Sequence, residues 1–142
     1  MSSFIEQVAE CAENAVSLSE TRGGDELDYS EASLKLLDEM LVEASEWISE
    51  MTPAQVDILV QDFGCYILEV GRRIYGGRYL WHEGREQPVL VVGEPDARIA
   101  MLTMDHVRGR LSGDSADAIP FFFAGFAQRA KNPTPGTDVL IV

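Results

Sequence analysis

The sequence predicts an α+β domain: N-terminal helices pack on a small antiparallel β-meander of about three strands, followed by a C-terminal helix and a short terminal strand or tail. Three observations carry this. Val56, Leu59, Val60, Phe63, Ile67, Val70 and Ile74 recur at steps of three and four, which keeps one apolar stripe on one helical face. After Gly76 and Gly77 the period shortens to that of a strand, and strands are expected at about 78–82, 88–92 and 98–104, with HEGRE and GEPDA as the turns. Loops this short join antiparallel neighbours, so a meander is the economical topology. The 142 residues are expected to form a single domain, long enough to bury about two-thirds of the surface the unfolded chain exposes.

In chain order, Ser3 and Glu6 form a capping-box pair that opens a first helix with Phe4, Ile5, Val8, Ala12, Ala15 and Val16 on its inner face. The run from Glu20 to Asp28 is polar, broken by Gly23-Gly24, and reads as a loop. A second helix is expected from Ser30 to about Met51, stapled by Tyr29 and Leu34. Leu34, Leu37, Met40, Leu41, Ala44, Trp47, Ile48 and Met51 are on its buried side, and Glu31, Asp38, Glu39, Glu43, Glu46 and Glu50 on its wet side. Thr52-Pro53-Ala54-Gln55 is the sharpest local signal: Thr caps, Pro takes the first helical position and Gln55 closes the box of the third helix. Gly64 and Gly71 lie two turns apart on one flank of that helix and predict close approach of another backbone, that of the first or second helix. Tyr79 and Trp81 share a face of the first strand, and the unbroken Val89-Leu90-Val91-Val92 marks a central strand buried on both faces. Asp105 is placed to cap a short helix with Val107 and Leu111 inward and Arg108 and Arg110 outward; a last helix over about 117–130 carries the stripe Ile119, Phe122, Phe123 and Phe126. The terminal DVLIV is β-branched enough to add a strand or dock as a tail.

Charge is unevenly placed. Of the net −13, residues 1–62 hold 15 acidic and 2 basic side chains, while residues 63–142 hold 9 of each. A front half of this kind repels nucleic acid and fits either a solvated face or a docking surface for a basic protein partner, with Glu39, Glu43, Glu46 and Glu50 as the partner-binding candidates. No apolar run approaches the ~20 residues of a membrane span, and the start of the chain lacks a basic, apolar leader, so a cytoplasmic location without membrane attachment is expected. Cys11 and Cys65 show no paired spacing and read as free, buried thiols.

Chemistry-bearing clusters are sparse. Tyr66, Glu69 and Arg73 fall on one flank of the third helix. With Arg72, Arg78 and Trp81 at its C-terminal end they define a candidate pocket for a small anionic ligand; the same spacing also describes a structural ion pair, with arginines complementing the helix C-terminus. His82-Glu83 lacks the second histidine of a zinc site, no serine sits in a nucleophile elbow, and GRRIYGG lacks the lysine and preceding strand of a phosphate loop. No catalytic residue, metal or cofactor is therefore assigned. Two functions stand: a non-enzymatic module that binds another protein, with a homodimer as one form, or a small-ligand binder or enzyme with its site between the third helix and the sheet.

The helix phrase GCYILEVGRR, the Gly-Gly followed by Trp81, and the later IAMLTMDHVRGRL together make the segment from Phe63 to about Leu111 resemble a family of uncharacterised bacterial α+β domains of unknown function. The resemblance implies a helix-plus-meander fold in bacteria and carries over no activity, ligand or catalytic residue.

Overall fold

The computed structural model describes residues 3–24 and 26–142. Its axis is α3 (Pro53–Tyr75), begun by the full Thr52/Gln55 capping box with Pro53 in the first turn. At 23 residues it runs about 34 Å. Ten consecutive residues, Asp62 to Gly71, are buried because other elements pack around this half of the helix. Against it lie α1 (Phe4–Arg22), opened by the Ser3/Glu6 box, α4 (Met104–Leu111), α5 (Ile119–Lys131) and one face of the sheet; α2 (Ser33–Ser45) packs on α4 and α5.

The sheet runs in the order β1 (Arg78–His82), β2 (Gln87–Val92), β3 (Arg98–Met101), β4 (Asp138–Ile141). The first three form the expected antiparallel meander, with Leu80 opposite Val89 and Val91 opposite Ala100. The terminal segment does become a strand, parallel to β3 with Ile99 opposite Val139, so the sheet is mixed and β2 and β3 are both internal. Alternation sorts the side chains: Tyr79, Leu90, Val92, Ile99 and Met101 join the helices in the main core, and Leu80, Val89, Val91, Ala100 and Leu102 form a smaller cluster on the other face.

Several expectations are corrected. The second helix is shorter at both ends. Ser30–Ser33 forms a turn closed by Ser33 N–H donating to Ser30 O and Oγ, and the helix stops at Ser45, where i→i−3 bonds tighten it into a turn and a 3-10 segment, Ile48–Glu50. Continuing it to Met51 would run helix into the residues before Pro53, where the ring disfavours helical backbone. Trp47 consequently leaves the buried face and is 60% exposed, and Ile5 and Ile74 are exposed as well. Tyr29 stacks on Tyr66 with ring centroids 4.9 Å apart. The glycine flank of α3 meets neither α1 nor α2: a Cβ on Gly64 would lie 2.8 Å from Met104 Cγ, and one on Gly71 would lie 2.9 Å from Leu90 Cδ2. The close approach is to the sheet and to α4 and α5. Asp105 does not cap α4, whose N-cap is Thr103; the Thr103 hydroxyl instead donates to Gly64 O at 2.8 Å. Asp38 and Arg110 are not on wet faces. They form a two-pronged pair at 2.9 and 3.0 Å, and Asp38 Oδ1 also accepts from the N–H of Ile119, capping α5 from a neighbouring helix. The third strand stops at Met101 rather than running to 104. In the loop over 20–28, Arg22 still belongs to α1, and Asp25 lies outside the described residues.

Candidate functional site

The residues singled out in the sequence divide among three places. Tyr66, Glu69, Arg72 and Arg73 do come together on the C-terminal half of α3, around a buried Glu69. Glu69 Oε1 accepts from Arg72 and from Arg73 Nε at 3.1 Å, and Oε2 accepts from the Tyr79 hydroxyl of β1 at 2.6 Å. Burial alone would push the Glu69 carboxyl up, but the donors from Arg72, Tyr79 and Arg73 outweigh it and hold it below its ordinary range. Burial and the Glu69 carboxylate together push the Tyr79 hydroxyl up. Arg73 extends the network, its guanidinium carbon 3.6 Å from the Tyr29 ring centre. Tyr66 OH accepts from Tyr29 N–H at 2.7 Å and pairs with Ser33 Oγ at 2.6 Å. These side chains tie α3 to β1 and to the segment leading into α2: Glu69 gathers Arg72, Arg73 and Tyr79, and the Tyr66 hydroxyl turns to Tyr29 and Ser33.

Arg78 and Trp81 are elsewhere. Arg78 grips Glu94 across the hairpin ends at 2.8 and 3.2 Å. Trp81 projects from β1 towards α1, edge-on to Phe4 at 6.2 Å, and with it lines a cleft of about 390 Å³ whose other walls include Cys11, Cys65, Gln87, Arg85 and Arg108. Each of those arginines is engaged: Arg85 with Asp105 at 2.7 Å and Arg108 with Asp57 at 3.0 Å. Cys11 and Cys65 are free thiols, as expected, but only Cys65 is buried, Cys11 being partly exposed on α1; the fold brings them within hydrogen-bonding reach of each other, and burial pushes both up, so neither is poised as a thiolate.

The third place was not foreseen. Between α1 and the N-terminal half of α3 runs an open groove of about 630 Å³, lined by Leu18, Met51, Ile58, Leu59, Asn14 and Asp62 among others. Leu18 is 39% exposed and Ile58 56% exposed. Both stand off the buried stripes of their helices, and that off-stripe placement was the readable signal: an apolar side chain on a face that periodicity assigns to water. At Asn14 the groove continues into an acidic strip formed by Glu6, Glu10 and Glu13. The four acidic partner-binding candidates are all exposed but do not share one helical face. Glu39 and Glu43 are on α2, Glu46 follows its last residue and Glu50 closes the 3-10 segment. Glu43 reaches Arg22 at the end of α1, which sets the acidic end of α2 beside the far end of the groove.

Among the described residues no helix is long and apolar enough to cross a membrane, and no group of three or more His, Cys, Asp or Glu side chains could hold a metal ion. Comparison with protein-family models, curated proteins and solved structures gave no match.

Proposed function

We propose that this protein is a binding module that docks a basic, amphipathic segment of another protein in the groove between α1 and α3. The observation that carries the reading is the exposure of Leu18 and Ile58 on opposite walls of one groove, within the half of the chain that holds all the net negative charge. Apolar side chains there gain by being covered, and the surrounding carboxylates select what covers them. A second copy presenting the same face would bring like charge against like charge, so the complementary occupant is a basic segment. Glu39, Glu43, Glu46 and Glu50 act in this reading as a steering field that speeds encounter. The anionic-ligand alternative draws less support: Glu69 has its acceptor positions filled by protein donors, and the arginines of the Trp81 cleft are each held by an aspartate.

The test uses labelled synthetic peptides, one a Lys/Leu amphipathic helix and one its Glu/Leu counterpart, followed by fluorescence anisotropy at low and high salt. The Lys/Leu peptide should bind, more weakly as the Debye length shrinks from about 10 Å towards 3 Å. Leu18→Ser and Ile58→Ser leave the charge unchanged and should each weaken it by roughly tenfold or more. Equal binding of both peptides, or full affinity in both serine variants, would contradict the proposal.

A further inference from the structure

Resting on that reading, we infer that Asp62 is the anchor of the groove and receives one arginine or lysine side chain from the partner. Asp62 is 6% exposed, lines the groove, and stands on α3 one turn beyond Ile58 and Leu59, on the same side of the helix. Among the described residues it has no ion-pair partner. Asp38, Asp57, Glu69, Glu94 and Asp105, by contrast, each hold an arginine. Its donors are weak. Asn14 Nδ2 approaches Oδ1 at 3.4 Å, outside the usual range of about 2.7–3.2 Å, and the Cys11 thiol supplies the other. Burial pushes its carboxyl up despite these donors. Among the described residues, the titratable groups coupled to it are thiols, Cys11 from α1 and Cys65 from α3, and neither brings positive charge.

A carboxylate buried without a cation is unfavourable unless something pairs with it. Here it forms the inner wall of an open apolar groove, a position that a partner's cation can reach from outside. The matching ligand has an aliphatic stem to lie on Leu18 and Ile58 and a charged head to replace the Asn14 amide on Asp62. Arginine suits the position better than lysine because its guanidinium is less strongly hydrated and meets both carboxylate oxygens at once. The partner segment is therefore a basic amphipathic helix with one basic residue projecting from the middle of its apolar face.

The experiment compares the parent with Asp62→Asn and Ile58→Ser, using the Lys/Leu peptide and a derivative with a single arginine set in the centre of its apolar face. The arginine derivative should bind the parent roughly tenfold to a hundredfold more tightly than the same peptide with norleucine there, and that advantage should vanish in Asp62→Asn. Asp62→Asn should melt at or above the parent temperature, since it removes an uncompensated buried charge. An arginine advantage retained in Asp62→Asn, or an Asp62→Asn protein less stable than the parent, overturns the anchor. If Ile58→Ser still weakens binding by roughly tenfold or more in that event, the docking groove survives and only the anchor is lost. Absence of binding by either peptide to the parent overturns both.

Discussion

Replacing Gly71 by leucine tests the packing on which the whole arrangement depends. A Cβ at this position already meets Leu90 Cδ2 at 2.9 Å, Met101 Cε at 3.2 Å and Phe126 Cε2 at 3.3 Å, so β2, β3 and α5 converge on a place where α3 has no side chain. The first methyl forces small shifts in three neighbours, and the remaining three carbons of leucine add to that crowding. Overpacking of a close-packed core costs about 1–3 kcal/mol, and an insertion this large belongs at or beyond the upper end. Leucine's better helix propensity returns somewhat under ~1 kcal/mol. The net expectation is a loss of about 2 kcal/mol or more. Gly125 supplies the control, because it lies within α5 with nothing within 4 Å of a Cβ, and Gly125→Ala should stabilise by about 1 kcal/mol through propensity alone. Urea denaturation of the parent and both variants, with m-values compared, separates the two effects. A Gly71→Leu protein as stable as the parent would mean that the flank is open and that the described convergence on α3 is wrong.

Two further outcomes follow from the polar ties. Glu69 has its carboxyl held below the ordinary 4.5, so the stability it contributes is present above that value and is lost as pH falls through the depressed one. Glu69→Gln should therefore be less stable than the parent at pH 7, by about 1–3 kcal/mol, and the gap should narrow in acid denaturation; a constant gap from neutral to acid pH would refute the assigned network. Asp38→Ala removes both prongs of the partly buried Arg110 pair and the acceptor for Ile119 N–H, and should cost about 2 kcal/mol, below the range for breaking a fully buried pair. Residue-resolved amide hydrogen exchange should show the loss of protection falling on α5 first, and a change confined to α2 would count against its capping role.

What the sequence made legible was local. The capping boxes at Ser3/Glu6 and Thr52/Gln55 form as read, β1 occupies residues 78–82 as expected, and Ile119, Phe122, Phe123 and Phe126 are all buried, because each depends on neighbours within a turn or two. What escaped depends on partners distant in the chain. The parallel pairing of β4 with β3 is made across the whole of α4 and α5. Asp38 looked like one more solvated acid of an acidic helix until Arg110, 72 residues away, was placed beside it. The glycine flank of α3 announced a close approach without saying to what. Tyr66, Glu69, Arg72 and Arg73 lie together on α3 as spacing implied, while Arg78 and Trp81 do not join them, and spacing cannot tell an open cluster from one whose donors and acceptors are consumed internally. Leu18 and Ile58 were readable in principle as apolar side chains off their stripes, but that two such residues face one groove is a fact of tertiary packing.

The most direct measurement of the binding proposal is the footprint of the Lys/Leu peptide on the amide spectrum of the isotopically labelled protein. The account predicts shifts concentrated at Leu18, Thr21, Met51, Ile58 and Leu59, with the Trp81 cleft and the Glu69 network unmoved. Shifts centred instead on Phe4, Trp81 and Arg85, or spread evenly over every acidic residue of the front half, would contradict it.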